Sequence, residues 1–158
     1  SNYDNAFGYI NEGLSRLKEL DSVRKFKCSE PIKTKPYGPV KQNDFSNACV
    51  EMETYMSPDD LMTFIRGIED SFERDRSIKW GPRPFDLDIL FYDDWVYYSD
   101  LVSIPHVEIQ NRMFVLGPLS ELCPGFRHPV LGKTVAQMKE ELIAKGCQDE
   151  IIESLTWC

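Results

Sequence analysis

Two aspartates one residue apart, Asp86 and Asp88, stand in the apolar run Phe85-Asp86-Leu87-Asp88-Ile89-Leu90, directly after Lys79-Trp80-Gly81-Pro82-Arg83. Alternate side chains of a strand project together, so this spacing puts both carboxylates on one face, with Cα atoms roughly 6 to 7 Å apart. Phe85, Leu87, Ile89 and Phe91 then take the other face. Two carboxylates so placed can hold a pair of hard divalent cations about 3.5 to 4 Å apart, an arrangement that clamps a transferring phosphoryl group. A solvated edge strand would share the spacing, but Asp is depleted in strands. The upstream loop also supplies Arg74, Arg76, Lys79 and Arg83 beside Trp80 on a Gly-Pro turn, which is the composition of an anion pocket.

The elements that must position these groups follow from periodicity. Phe7, Ile10, Leu14 and Leu17 fall at helical spacing and predict a helix from about Asn5 to Lys18. A short strand is expected near Val23 to Cys28. Residues Ser29 to Asn43 are rich in Pro, Gly and Lys and predict a binding or lid loop. Phe45 to Met56 reads as one strand, with Ala48, Val50 and Met52 on one face and Phe45, Asn47 and Cys49 on the other. Ser57-Pro58-Asp59-Asp60 is a helix start: Ser caps, Pro suits the first turn and the aspartates complement the dipole. Leu61, Phe64, Ile65, Ile68 and Phe72 form the stripe of that helix, which brings Glu69 to its end, one turn before the arginine-rich loop. The strand of Asp86 and Asp88 comes next, and a hairpin through Asp93-Asp94 to Trp95, Val96, Tyr97 and Tyr98 follows. Short helices are expected around Glu108 to Glu121, and Thr134-x-x-Gln137 has the form of a capping box for a helix through about Leu142. The order helix, strand, strand, helix, strand predicts an α+β fold, ferredoxin-like, with helices packed on an antiparallel sheet.

A chain of 158 residues, 42% hydrophobic and 12% aromatic, can bury one core, and the expectation is a single domain over 1–158 without repeats or linkers. The formal charge of -8 argues against a nucleic-acid partner, which calls for a basic stripe. No apolar run reaches the length of a membrane span and no secretory pattern precedes the first helix, so a soluble, cytoplasmic chain is expected, with no membrane partner. Its five cysteines, Cys28, Cys49, Cys123, Cys147 and Cys158, lack Cys-x-x-Cys or Cys/His ligand spacing, which fits reduced thiols.

The run Trp80-Gly81-Pro82-Arg83-x-x-Asp86-Leu87-Asp88-Ile89-Leu90 resembles the signature of the hydroxymethyldihydropterin pyrophosphokinase family. Ile104-Pro105-His106, Asn111-Arg112-x-Phe114-Val115-Leu116 and Pro118-Leu119 resemble its next block in order and spacing. Thr34-x-Pro36-Tyr37-Gly38-Pro39 and Asp44-Phe45-x-Asn47 resemble its pterin-side loop and strand. The resemblance runs from Ser1 to about Leu142. It implies transfer of pyrophosphate from ATP, as co-substrate, to the hydroxymethyl group of 6-hydroxymethyl-7,8-dihydropterin in folate biosynthesis, with AMP as the other product.

Position by position, the resemblance implies two Mg2+ ions on Asp86 and Asp88, and phosphate contacts from Arg74, Arg76 and Arg83, whose forked guanidinium groups suit that task. His106 and Arg112 resemble further phosphate contacts, and Ser103 and Ile89 resemble nucleotide contacts near the ribose and adenine. From their places in the chain, Glu69 at its helix end meets either an arginine or a ligand amino group, and Trp80 on its loop closes over the bound ligands. Phe45 and Phe114 suit the two faces of a pterin, Asn47 its amidinone edge, and Thr34 and Tyr37 the wall of the same pocket. Many members have tyrosine where this chain has Phe45. Members also begin with an apolar strand ending in Gly ahead of a Ser-Asn pair. This chain starts at Ser1-Asn2, so the first, central strand of the sheet is expected to be absent from it. A neighbouring folate-pathway enzyme, fused or associated, is a partner compatible with the resemblance. Two other readings use the same residues: a catalytically silent binding fragment, and a non-folate phosphotransferase or nuclease that needs the carboxylates but not Phe45, Asn47 and Phe114.

Overall fold

The computed structural model describes residues 1–2, 5–36, 43–72, 85–146 and 151–155. The first helix, α1 (Ala6–Lys18), starts where the Asn5 side chain accepts the Gly8 N–H, and it buries Ile10, Gly13 and Leu17. Then come β1 (Val23–Cys28), β2 (Ile32–Thr34), β3 (Phe45–Asn47) and β4 (Val50–Thr54). Helix α2 (Pro58–Asp70) opens as its sequence predicts, with the Ser57 hydroxyl accepting the Asp60 N–H at 3.2 Å. Next are β5 (Tyr97–Tyr98), β6 (Ser103–Ile104), a 3-10 turn over Ile109–Asn111, α3 (Met113–Leu122), α4 (Val135–Ala144) and β7 (Ile151–Ser154). Both halves of the Thr134/Gln137 capping box are formed.

The architecture is mixed helix and antiparallel sheet. Among the described residues the strands form three small ladders, β1-β4, β3-β2-β7 and β5-β6, rather than one continuous sheet. Four sequence expectations are corrected here. The segment Ser29 to Asn43 contains β2, which is held on both edges by β3 and β7. The expected strand Phe45 to Met56 is broken at Ala48-Cys49 into β3 and β4, which pair with different partners. Tyr97 and Tyr98 pair forward with Ile104 and Ser103, not back across Asp93-Asp94. Residues 85–90 carry no ladder among the described residues.

Among the described residues two hydrophobic clusters organise the chain. Ile10 and Leu17 of α1 meet Leu61, Ile65 and Ile68 of α2 together with Phe85, Ile89 and Ile104. Met113, Leu116 and Leu119 of α3 meet Val135, Met138 and Leu142 of α4 together with Cys49 and Ile109. The segment 85–91 serves both: Phe85, Leu87 and Ile89 pack on the first cluster, whereas Leu90 and Phe91 pack on the second. Strand-like alternation therefore persists through Leu90 without a ladder, and it breaks at Phe91, which does not share the face of Ile89.

Candidate active site

Phe85 is the anchor of the carboxylate segment. It is 4% exposed, and its ring lies against α1 at Gly13, where a Cβ would stand 2.4 Å from the ring Cζ. Only a residue without a side chain permits that approach. Phe72 flanks the same ring, with centroids 5.5 Å apart. Ile89 is also buried, while Asp86 and Asp88 are exposed. The two carboxylates thus lie away from the α1/α2 cluster, on the side to which Leu90 turns. The main chain is held at two further points. The Leu87 N–H donates to Glu69 Oε1 at 2.8 Å, and the His106 N–H donates to the Leu90 carbonyl at 2.9 Å.

His106 follows the cis Ile104–Pro105 peptide. Its Nδ1 accepts the Glu108 N–H at 3.1 Å, which leaves the hydrogen of the neutral ring on Nε2. The hairpin that delivers it is tied to α2, because Tyr97 Oη and Ser99 Oγ donate to Asp59 at 2.8 and 2.6 Å and Arg66 donates to the Leu101 carbonyl at 3.0 Å. Arg112 precedes α3, with its guanidinium carbon 5.7 Å from the centroid of the Phe114 ring.

On the other side, Thr34 and Phe45 are register partners in the β2-β3 ladder. The Asn47 amide donates to Thr34 Oγ1 at 2.8 Å, across the strands, and Thr34 is 2% exposed. That bond turns the Asn47 amide into a fixed edge.

One cavity of about 1520 Å³ brings these groups together. Thr34, Phe45, Asn47, Asp86, Asp88, Ile89, Arg112 and Phe114 all line it. Its wall also includes Lys35, Glu108 and Asn111. Asn111 belongs to the Asn111-Arg112 run, whereas nothing in the sequence around Glu108 marks it. Cys49 lines the same cavity, and burial, followed by the neighbouring Cys123, Cys28 and Glu121, pushes its thiol up to about 12. At that value the sulfur is a packing group, not a nucleophile. Three expected site residues are not among those lining this cavity: Ser103 is in β6, His106 is joined through its main-chain N–H to Leu90, and Glu69 is buried in α2. Tyr37, Arg74, Arg76, Trp80 and Arg83 lie outside the described residues.

An aromatic pair, an amide edge and two carboxylates on one cavity are what a flat heterocycle and a phosphate chain require. The profile of the 7,8-dihydro-6-hydroxymethylpterin-pyrophosphokinase family matches residues 1–124. The chain belongs to this family. Pyrophosphate transfer to hydroxymethyldihydropterin, in folate biosynthesis, is the family's reaction. A pyrophosphokinase of that specificity from Synechocystis sp. is 37% identical over 133 residues, which are 84% of this chain and 68% of that protein. The bifunctional protein FolKE of Lactococcus lactis is 40% identical over 114 residues, 72% of this chain and 33% of that one. A folate synthesis bifunctional protein of Chlamydia trachomatis is 38% identical over 141 residues, 85% of this chain and 31% of that one. The chain therefore spans about a third of the length of these two bifunctional relatives.

Proposed function

We propose that this chain transfers pyrophosphate from ATP to 6-hydroxymethyl-7,8-dihydropterin. The pterin hydroxymethyl oxygen forms a bond to the β-phosphorus and loses its hydrogen to solvent as a proton, the bond from that phosphorus to the oxygen bridging the α-phosphate breaks, and AMP leaves. The observation that carries this reading is that Phe45, Phe114 and Asn47 share one cavity with Asp86 and Asp88. Such a transfer depends on holding the reacting atoms in line and neutralising charge more than on covalent catalysis.

Phe45 and Phe114 stack the heterocycle, Asn47 and Thr34 read its polar edge, and Arg112, held over Phe114, faces the phosphates. Asp86 and Asp88 fit a divalent cation. They are exposed, oxygen-bearing and carried on a segment whose neighbours Phe85 and Ile89 are buried. No group of three or more His, Cys, Asp or Glu ligands is present among the described residues. Mg2+ needs no such group, since one or two carboxylates plus substrate phosphates commonly suffice. Two Mg2+ ions there would supply charge neutralisation on the triphosphate. Arg74, Arg76, Trp80 and Arg83 join the phosphate side and Tyr37 the pterin side on the family resemblance, as do His106, Ser103 and Ile89 for the nucleotide.

The remaining parts of this reading are a single ferredoxin-like domain, a cytoplasmic location, and a neighbouring folate enzyme as partner, since relatives of the chain are bifunctional. No described helix is long and apolar enough to cross a membrane. The fold reading includes a further central strand between β4 and residues 85–91. The cavity at about 1520 Å³ exceeds the roughly 300 to 1,000 Å³ of ordinary ligand sites. Its walls include both Val50 to Thr54 and Phe85 to Phe91, and apolar residues from both clusters. An extended apolar segment would fill that excess and give both walls a ladder partner.

The test is AMP production from ATP and Mg2+, with and without the pterin, by this chain, by a chain extended with an apolar strand, and by Asp88→Ala. Pterin-dependent AMP from either parent, lost by at least about a hundredfold in a folded Asp88→Ala, is the expected result. Retained turnover in Asp88→Ala overturns the metal pair. A parent that ignores the pterin but hydrolyses ATP or nucleic acid with Mg2+ favours the phosphotransferase or nuclease reading.

A further inference from the structure

Helix α2 buries a carboxylate in its apolar stripe. Glu69 is 8% exposed, on the same helix face as Leu61, Ile65 and Ile68. A carboxylate in such a setting is retained at a cost unless its oxygens accept hydrogen bonds. Oε1 of Glu69 accepts the N–H of Leu87 at 2.8 Å. That N–H belongs to the peptide unit joining Asp86 to Leu87, midway along the metal-binding pair. A charge-assisted bond of this kind is about twice as strong as a neutral one. Burial of Phe85 and Ile89 and the His106 bond to Leu90 act on either side of the pair.

We propose that Glu69 is a positioning residue: by holding the Leu87 N–H it sets the rotation of the main chain between Asp86 and Asp88, and so determines their affinity for a divalent cation. This is a different task from meeting an arginine or a ligand amino group, the two roles its place at the end of α2 suggests from sequence. The inference rests on the reading of Asp86 and Asp88 as metal ligands. Glu69 never meets the cation in it. Its carboxylate acts as outer residues act on metal ligands, where loss typically weakens binding by about 10- to 100-fold.

The experiment measures Mn2+ affinity by water-proton relaxation with α,β-methylene ATP present, on the unmodified chain, Glu69→Gln, Glu69→Leu and Asp88→Asn. The glutamine carbonyl can still accept the Leu87 N–H and leucine cannot. The expected result is a loss of at least about tenfold in Glu69→Leu, with Glu69→Gln within about threefold of the parent and the KM for pterin unmoved in both. Equal losses in the Gln and Leu variants, or a folded Glu69→Leu with parental affinity, overturn the proposal. A second measurement needs no variant to fold. In the unmodified chain the Leu87 amide is expected to exchange slowly with solvent and to resonate downfield, and a fast-exchanging amide at Leu87 overturns the proposal as well. Asp88→Asn separates the two levels: unchanged Mn2+ affinity there removes the metal-pair reading itself, whatever Glu69 does.

Discussion

Gly13→Ala tests the contact that seats the carboxylate segment. In an isolated helix the change stabilises by about 0.5 to 1 kcal/mol, because glycine loses more backbone freedom on folding. In α1 the new Cβ would stand 2.4 Å from Cζ of Phe85 and 2.6 and 2.7 Å from its ring neighbours. Carbon atoms rest about 3.5 to 4.0 Å apart, so the ring must retreat by more than about 1 Å. It is rigid, 4% exposed and flanked by Phe72 at 5.5 Å, and overpacking of such a site costs about 1 to 3 kcal/mol. The balance is a net destabilisation of up to about 2.5 kcal/mol, centred at about 1 kcal/mol. Asp86 is covalently next to the displaced residue, and a shift of about 1 Å in a catalytic group can cost on the order of a hundredfold in rate. Chemical denaturation and pterin-dependent AMP production on the same preparation read both effects. Phe85→Leu in the same chain removes the clashing ring atoms and is expected to recover part of both losses, making the pair non-additive. A Gly13→Ala chain that is more stable than its parent, with unchanged turnover, refutes the reasoning: Phe85 would then neither crowd α1 nor seat Asp86.

Two other perturbations address the pterin wall and the far end of the chain. Asn47→Leu removes the 2.8 Å bond to Thr34, whose hydroxyl is buried. It is expected to destabilise by about 1 to 3 kcal/mol and to raise the KM for pterin far more than that for ATP, so an equal rise in the two constants in steady-state assays would remove Asn47 from the pterin edge. His128 is buried and its Nδ1 accepts the N–H groups of Val130 and Leu131, both at 3.2 Å. Burial lowers its pKa from 6.5, so the unfolded chain binds a proton first as pH falls. The stability it contributes is complete above about pH 6.5 and is lost below that, toward the lower folded value. His128→Asn is therefore expected to give a shallower decline in unfolding free energy between about pH 6.5 and 5, and parallel pH profiles would show that His128 does not carry it.

Much of the local structure was legible because its causes are local. Ser57-Pro58-Asp59-Asp60 caps α2 and Thr134 with Gln137 caps α4 through groups a few residues apart. The alternation of Phe85, Asp86, Leu87, Asp88 and Ile89 survives as buried and exposed positions even where no ladder forms. The strands were less legible. Ile32–Thr34 lies in a stretch of loop-like composition, and it becomes a strand because β3 and β7, from distant parts of the chain, bond both of its edges. Phe45 to Met56 has one continuous pattern, yet Ala48-Cys49 divides it between two ladders, since the burial of Cys49 against α3 and α4 overrides the pleat.

The same division applies to the site. Residue types and their order by themselves determined the family and singled out the candidate site residues, since a carboxylate pair in the Trp80 to Leu90 run and the Asn111-Arg112 block are properties of the chain as written. That Thr34, Phe45, Phe114 and the aspartates line one cavity, that Phe85 requires a glycine in α1, and that Glu69 holds the peptide between the aspartates were decided only by tertiary structure. Each of these is a contact between residues far apart in sequence, and no periodicity or propensity encodes which distant surface a side chain will meet.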